Sequence, residues 1–185
     1  MSTRVRRHPE RGAYDRQTVD AILDDGFLCH VGFVLDGQPY VIPMLHARAG
    51  DVLYLHGSPA SRLVQALASG ARVCATVTHL DGIVLAKSVF NHSVNYRSAV
   101  VLGSARIVEG DEKLAALEAI VNHVEPGRWE VARQPNDKEL RTTEVIALPL
   151  DECSAKIRTG PPTESPHDDD LDVPSGVVQL RWIRE

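Results

Sequence analysis

The chain has 185 residues, 43% of them hydrophobic and 24% charged, which is typical of one soluble globular domain. Its formal net charge of −5 excludes an overall basic field of the kind that attracts nucleic acid. No apolar run reaches the ~18 residues of a membrane-spanning helix, no signal peptide is visible, and the three cysteines have unrelated spacings. We therefore expect a reduced, cytoplasmic protein with neither a membrane nor a nucleic-acid partner.

The first third of the chain predicts a helix followed by a β-meander. Residues 1–13 are rich in arginine and show no apolar period, which indicates a surface arm. Asp15 is a suitable N-cap for a short helix. Between residues 27 and 57, β-forming segments are separated by Asp36-Gly37 and Gly50-Asp51, which predicts three strands joined by tight turns.

The rest of the chain adds strands and one long helix. Residues 71–88 predict two strands around an Asp81-Gly82 turn, and Gly103 suggests a bulge or a bend inside the next strand. The apolar stripe of residues 111–124 is typical of an amphipathic helix. Residues 142–158 predict a last strand pair or one long bent strand.

The order of these elements predicts the fold class. About six or seven strands and three helices in non-alternating order favour a mainly β fold, a β-barrel with appended helices, over a doubly wound sheet. We divide the chain into an N-terminal arm at residues 1–13, a barrel domain at 14–158, and a Pro- and Asp-rich loop with a C-terminal strand at 159–185. No internal repeat is visible.

The loop after the third predicted strand carries the first candidate binding site. Gly57 permits close approach of a ligand, Ser61 offers a hydroxyl, and Arg62 opens a helix where it can pair with phosphate oxygens. These residue types favour a phosphorylated ligand. The alternative is that Ser58 or Ser61 is only an N-cap and that Arg62 is an exposed helix residue.

A proline within a strand-like segment, Val41-Ile42-Pro43-Met44, is the second candidate. Proline cannot donate a ladder hydrogen bond, so the segment belongs at a sheet edge or a bulge, where neighbouring backbone groups can face a ligand. A flat heteroaromatic ring with alternating donors and acceptors suits such an edge. A simple edge-strand proline explains the same pattern.

A third candidate is the polar run before a very apolar strand. It collects the donors of His92, Asn95, Tyr96, Arg97 and Ser98. Polar loop residues held by a rigid strand commonly form the rim of a binding site. An ordinary polar loop is the alternative.

The common catalytic and metal-binding motifs are missing. No G-x-S-x-G, G-x-G-x-x-G, Walker loop, Cys-x-x-Cys or His-x-x-x-His occurs, so we predict no metal site and name no catalytic acid or base. The eight histidines are scattered but leave haem open as a ligand. His46 and His92 are the best candidates for a histidine in a pocket.

Together, residues 27–47, 53–67, 92–108 and 111–124 resemble the pyridoxamine 5'-phosphate oxidase-like family of FMN-binding split barrels. The segments FLCHVGFVLDGQPYVIPMLHA, LYLHGSPASRLVQAL and HSVNYRSAVVLGSARIV carry the likeness, which is strongest to the nitroimidazole-resistance-type branch of flavin-nucleotide-binding proteins. It extends over roughly residues 8–160.

The resemblance implies a six-stranded FMN-binding split barrel that forms a homodimer, with the flavin at the subunit interface. Residues 41–44 would contact the flavin ring and ribityl chain, residues 55–57 would follow the chain and phosphate, residues 61–62 would hold the phosphate, and residues 96–98 would shape the rim or reach in from the other subunit. The implied cofactor-binding residues are Val41, Ile42, Pro43, Met44, Leu55, His56, Gly57, Ser61, Arg62, Tyr96, Arg97 and Ser98.

The chain departs from the family pattern in two ways. Arg62 stands where many members have lysine, and the C-terminal arginine-and-histidine substrate signature of the true pyridoxamine phosphate oxidases is missing. We therefore expect a flavin-dependent oxidoreductase acting on an unidentified small molecule rather than on vitamin B6. FAD, a deazaflavin or haem could replace FMN. The alternative functions are a non-catalytic flavin- or haem-binding protein and a ligand-sensing module of the same fold.

Overall fold

The computed structural model describes residues 3–183, so Met1, Ser2, Arg184 and Glu185, which belong to the predicted terminal segments, lie outside the described residues. The strands are β1 (Gly12–Ala13), β2 (Leu28–Leu35), β3 (Gln38–Ala49), β4 (Val52–Gly57), β5 (Arg72–Leu85), β6 (Ser93–Ser104), β7 (Arg106–Val108), β8 (Glu144–Pro149), β9 (Glu152–Arg158) and β10 (Gly176–Gln179). The helices are α1 (Arg16–Asp24), α2 (Arg62–Ala68), α3 (Gly110–Val124), α4 (Arg128–Val131) and α5 (Asp137–Arg141).

The described strands form one antiparallel sheet in the order β1-β9-β6-β5-β2-β3-β4-β8-β7, and β10 pairs with the end of β5. Only Leu150 and Asp151 separate β8 from β9, so these two strands act as one bent strand and complete a set of six long ones with β2 to β6. The sheet is curved but not closed. The prediction of a mainly β split barrel is therefore confirmed.

The split arises where β3 changes partners. Residues 38–45 of β3 pair with β2, whereas residues 46–49 pair with β4. Within residues 3–183, no other strand pairs with the second edge of residues 38–45. We call this unpaired stretch the open edge of β3.

Backbone direction along the open edge follows from one hydrogen bond. The N–H of His46 donates to the carbonyl of Phe27 at 3.0 Å, so His46 and every second residue before it direct their backbone groups toward β2. Val41 and Pro43 occupy the alternate positions and direct theirs toward the open edge. Pro43 therefore interrupts no ladder hydrogen bond, as the sequence predicts.

Two apolar clusters lie on the two faces of β4. The main core is formed by inward residues of the sheet, such as Val31 and Leu55, and is covered by α1 and α2. A smaller cluster joins α3 to β7 and β8, with Ala116 of α3 against Val145 and Ala147. Successive residues of β4 thus belong to different apolar layers.

The helices begin as the sequence predicts. Asp15 caps α1 by accepting a hydrogen bond from the backbone N–H of Thr18 at 2.8 Å, and Ser61 caps α2. The predicted amphipathic helix is α3, the longest in the described chain at 15 residues. No helix within residues 3–183 is long and apolar enough to cross a membrane.

The predicted turn at Asp81-Gly82 is wrong. β5 runs without a break through this dipeptide, and its pairing with β6 shifts by one residue between Leu80 and Gly82. A Cβ on Gly82 would lie 2.9 Å from Cγ1 of Val177, so glycine is needed for β10 to pack against β5. The dipeptide therefore forms a bulge rather than a hairpin.

Gly103 has a packing role instead of the predicted bulge. It pairs in regular register with Val73, and the only register shift in this strand pair lies elsewhere among the described residues. A Cβ on Gly103 would lie 3.0 Å from Cδ1 of Leu148. The missing side chain thus lets β8 approach the sheet closely.

Candidate functional site

The open edge of β3 is the first component of the candidate site. Val41 is 67% exposed, and Pro43 is exposed beside it. Ile42 and Met44 turn their side chains to the other face, where both pack against the main core. The edge thus offers free backbone groups on a strand that its inward side chains hold firmly.

The end of β4 and the start of α2 adjoin this edge. A Cβ on Gly57 would lie 3.7 Å from Cε of Met44 and 3.7 Å from Oγ of Ser61, so the three residues meet at one point. The Ser61 hydroxyl accepts a hydrogen bond from the N–H of Val64 at 3.3 Å. Its own O–H remains able to donate to a ligand.

Arg62 supplies a positive charge next to the open edge. Its side chain is exposed, and the guanidinium carbon lies 5.2 Å from the centroid of the Tyr40 ring, a cation–π distance. Tyr40 in turn stacks on Phe33 at a centroid distance of 5.5 Å. Among residues 3–183, no carboxylate lies within 4.0 Å of the Arg62 guanidinium. The charge is therefore directed by an aromatic ring and available to an anion.

Leu55 and His56 lie on opposite faces of β4. The Leu55 side chain is only 1% exposed and belongs to the main core, so it cannot contact a ligand. The His56 side chain lines a cleft of about 330 Å³ on the α3 side, together with Leu117, Val121 and Trp129. Of the predicted triplet 55–57, only Gly57 therefore faces Ser61 and Met44.

Electrostatics in the cleft centre on His56. Its Nδ1 atom is buried and has no hydrogen-bond partner within the described residues, and burial lowers the pKa of the imidazole. Arg133 and Glu139 pair across the rim at 2.6 Å. The bonds from Arg133 and from the backbone of Asn136 lower the pKa of Glu139 to about 2. The cleft thus has an apolar floor, a neutral imidazole and a neutralised rim.

The predicted residues of β6 are separated from β3 by β5 and β2. Arg97 pairs with Asp81 at 2.9 Å and with Asp25 at 2.8 Å, while the Ser98 hydroxyl donates to the carbonyl of Val77 at 3.1 Å. Tyr96 is partly exposed. Within one chain Tyr96, Arg97 and Ser98 do not lie with Arg62 at the open edge of β3. Their predicted contribution from a second subunit stays a prediction.

The two predicted pocket histidines occupy very different places. His46 is fully buried, and its Nε2 donates to the carbonyl of Leu23 at 3.0 Å. His92 is exposed, and its Nδ1 donates to the carbonyl of Ser88 at 3.0 Å. Neither lies at the open edge of β3. Tyr40 does lie at the open edge, but it is not among the site residues predicted from the sequence. Its position two residues before Ile42, on the same strand face, was a usable signal.

Comparison with known proteins places the chain in a family. The family model described as pyridoxamine 5'-phosphate oxidase matches residues 15–157. No curated protein matches the chain. The solved flavocytochrome Anf3 from Azotobacter vinelandii is 39% identical, with 98% of this chain and 85% of that chain covered and a TM-score of 0.90.

Two further solved structures are similar. The FAD and haem binding protein from Mycobacterium smegmatis is 37% identical, with 92% of this chain and 84% of that chain covered and a TM-score of 0.87. A proposed 5-nitroimidazole antibiotic resistance protein from Bacteroides thetaiotaomicron is 28% identical, with 79% and 86% covered and a TM-score of 0.67. The chain belongs to the pyridoxamine 5'-phosphate oxidase family, and a nitroimidazole-resistance-type protein is among its structural relatives.

Proposed function

We propose that the protein binds a flavin nucleotide along the open edge of β3 and acts as a flavin-dependent oxidoreductase on a small molecule. The observation that carries this proposal is the exposed Arg62, which stands beside unpaired strand backbone and has no carboxylate partner in the described chain. Two relatives above 30% identity, a flavocytochrome and an FAD and haem binding protein, support it. FAD is therefore the first flavin to test, with the predicted FMN beside it.

The residues present fit such a cofactor. Backbone groups of Val41 and Pro43 would face the donors and acceptors of the ring, and Gly57 would leave room beside them. Arg62 and the Ser61 hydroxyl would hold a phosphate. A bound flavin would supply the redox chemistry, while the chain would supply position and electrostatic environment.

We further propose that the protein is a homodimer with the flavin at the subunit interface. The outer face of the β2–β3 pair exposes Leu28, Val34 and Val41, which alternate with core residues. Val89 and Phe90, on the turn between β5 and β6, are 93% and 92% exposed. Large exposed apolar side chains of this kind commonly anchor subunit interfaces. A second copy would also bring Tyr96 and Ser98 near a flavin, as the resemblance implies.

The flavin proposal is tested by Arg62→Ala. Loss of a charge-assisted phosphate contact is expected to weaken binding of FAD or FMN by ~1.5–3 kcal/mol, roughly 10- to 150-fold. Fluorescence titration of the refolded apoprotein measures the dissociation constant for each flavin. Arg62→Lys is expected to retain most of the affinity, because the charge remains.

Arg72→Ala is the matched control. Arg72 is also exposed but, unlike Arg62, has a carboxylate partner, because it pairs with Glu152 at 2.8 Å. Its loss is expected to leave flavin affinity within about twofold of the wild type. Equal affinity of the Arg62→Ala variant and the wild type for both flavins would exclude the phosphate assignment.

Haem is a second candidate ligand, favoured by the cleft around His56. The relative from Mycobacterium smegmatis is described as binding haem as well as FAD. Within residues 3–183, Nδ1 of the His56 imidazole has no hydrogen-bond partner, and the ring lines a cleft of about 330 Å³ whose walls include Leu117 and Trp129. Histidine is a common axial ligand of haem iron, and apolar walls suit the macrocycle.

Absorption spectroscopy tests the haem proposal. Wild-type protein titrated with haemin is expected to give a sharp Soret band, and His56→Ala is expected to lose it. His92→Ala removes an exposed histidine that does not line the cleft and is expected to keep the band. An unchanged spectrum in the His56→Ala variant would show that haem, if bound, is held elsewhere.

A further inference from the structure

Three histidines from different elements contact the end of α1. Each Nε2 atom lies within hydrogen-bond distance of one backbone carbonyl: His79 of Ile22 (2.8 Å), His46 of Leu23 (3.0 Å) and His123 of Gly26 (2.7 Å). We call His46, His79 and His123 the histidine clasp. It joins α1 to β3, β5 and α3 through side chains that the proposed flavin site does not use.

The clasp depends on the protonation state of its imidazoles. A carbonyl oxygen can only accept a hydrogen bond, so each neutral ring carries its proton on Nε2. His46 is fully buried, and its Nδ1 has no partner within the described residues. A second proton at that atom would have no acceptor. The ring of His123, with its centroid 5.6 Å from that of His46, would repel it further if charged.

The charges around His46 do not compensate such a proton. Burial lowers the pKa of His46, and His123 and His79 act in the same direction, whereas the hydrogen bond to the Leu23 carbonyl and the charge of Asp24 oppose them. The Asp24 carboxylate is already paired with Arg48 of β3 at 2.5 Å. The negative charge nearest to the clasp is thus largely neutralised.

The carboxylates on the remaining sides are also paired. Arg48 reaches Asp20 of α1 at 3.6 Å, in addition to Asp24. On the β5 and β6 side, Arg97 binds Asp25, which follows α1, and Asp81 of β5. Each of these four carboxylates therefore has an arginine partner.

His46 also lies at the position where β3 leaves β2 and joins β4. Its backbone N–H donates to the carbonyl of Phe27, and its imidazole donates to the carbonyl of Leu23 in α1. Met44, two residues earlier, already belongs to the open edge and approaches Gly57. A displacement of His46 would therefore move the boundary of the open edge.

We propose that His46 is a positioning residue for the flavin site and that its protonation releases α1 from β3 and weakens flavin binding. This inference rests on the proposed flavin function. When the clasp opens, the imidazole reaches water and gains its second proton, so acid favours the open form. One proton taken up with opening shifts that equilibrium by at most tenfold per pH unit. Flavin affinity is therefore expected to fall by up to tenfold for each pH unit below the transition.

The test compares wild-type protein with His46→Gln. Glutamine places an N–H donor near the position of the imidazole Nε2 but cannot take up a proton at neutral or mildly acidic pH. Between pH 7.5 and 5.5, the dissociation constant for FAD or FMN is expected to rise several-fold, up to about tenfold, in the wild type and less than about twofold in His46→Gln. His92→Gln, at an exposed histidine with a similar carbonyl contact, is expected to follow the wild type.

Two outcomes of the titration would overturn the inference. In the first, His46→Gln keeps the acid sensitivity of the wild type. In the second, His46→Gln binds flavin equally weakly at both pH values, which would make His46 a structural residue only.

Hydrogen exchange of the flavin-free protein separates this inference from the flavin proposal. Amides of residues 19–25, corrected for intrinsic exchange, are expected to lose protection at pH 5.5 in the wild type but not in His46→Gln. Opening of α1 without any flavin binding would contradict the proposed function and leave the clasp supported. Opening with unchanged flavin affinity would overturn the link between the clasp and the open edge.

Discussion

Arg62 and Arg97 are both predicted from the sequence to serve the cofactor, but the structure gives them opposite surroundings. Arg97 is bound by Asp81 and Asp25, and these hydrogen bonds raise the pKa of its guanidinium. Arg62 lies exposed over the ring of Tyr40, and no ion pair engages it among residues 3–183. A charge that is already paired within the protein stabilises the fold, whereas an unpaired charge can bind a ligand.

The same distinction separates neighbouring residues of β4. Leu55 is enclosed in the main core, while Gly57, two residues later on the same face, is partly exposed next to Met44 and Ser61. The core ends between these two positions. Residues predicted as one contact group therefore divide into a part that stabilises the barrel and a part that is available to a ligand.

The largest expected effect is on stability, from Leu55→Ala. The side chain is 1% exposed, so its truncation leaves a cavity in the core and is expected to lower the free energy of unfolding by about 2–5 kcal/mol. Urea unfolding followed by tryptophan fluorescence measures the loss. The folded fraction is expected to bind flavin with wild-type stoichiometry, because Leu55 does not reach the open edge.

Val41→Ala is the matched control on the ligand side of this comparison. Val41 is 67% exposed, so its truncation is expected to change the free energy of unfolding by no more than about 0.5 kcal/mol. A large loss of stability from Val41→Ala, or none from Leu55→Ala, would reverse the assignment of these two residues.

A smaller effect is expected from Arg97→Ala. The side chains of Arg97 and Asp81 are about one third exposed, so solvent screens both ion pairs, and the free energy of unfolding is expected to fall by only about 1 kcal/mol. Flavin affinity is expected to stay within about threefold of the wild type. Arg62→Ala is expected to do the reverse, weakening flavin binding with little effect on stability.

The paired variants Arg97→Ala and Arg62→Ala test whether the two arginines have different roles. If Arg97→Ala weakened flavin binding as strongly as Arg62→Ala while leaving the unfolding midpoint unchanged, Arg97 would have to act on a ligand despite its two aspartates. In a homodimer this would mean that the partner subunit's flavin site depends on β6. The result would then restore the role that the family resemblance implies for residues 96–98.

Much of the fold was predictable from local sequence. Asp15 and Ser61 are ordinary N-caps, and the Gly-containing dipeptides of the meander are ordinary hairpin signals, so α1, α2 and β2 to β4 follow from short-range chemistry. The Asp81-Gly82 dipeptide carries the same local signal but forms a bulge. The pairing of β10, about 95 residues away, decides that outcome, and no local pattern encodes it.

The candidate site was predictable only in part for a similar reason. The edge position of Pro43 was predictable, because proline lacks a backbone N–H and this restricts where its strand can pair. The ion pairs of Arg97 and the contacts of His46 with α1 join residues that are distant in the sequence. A free and a satisfied arginine look identical in a single sequence, so the division between Arg62 and Arg97 needed the structure.

The last expected effect is a loss of stability in mild acid. Burial lowers the pKa values of His46 and His56 below the ordinary value of 6.5, so the native state binds fewer protons than the unfolded state in mild acid. Stability contributed by these groups is fully present above pH 6.5 and is lost as the pH falls below it, by at most about 1.4 kcal/mol per pH unit for each histidine. Urea midpoints at pH 7.5, 6.5 and 5.5 measure this loss.

Separate substitution of His46 and His56 distinguishes the contribution of the clasp from that of the cleft. Carboxylates such as Glu139 and Glu112, whose pKa values are lowered by arginine partners, release their contribution only in stronger acid, so the window from pH 6.5 to 5.5 reports on histidines. His46→Gln and His56→Gln are each expected to flatten part of the pH dependence. Because His56 faces a cleft and His46 the clasp, only His46→Gln is also expected to make flavin affinity insensitive to acid. Midpoints that do not change with pH would show that neither imidazole is held neutral by the fold.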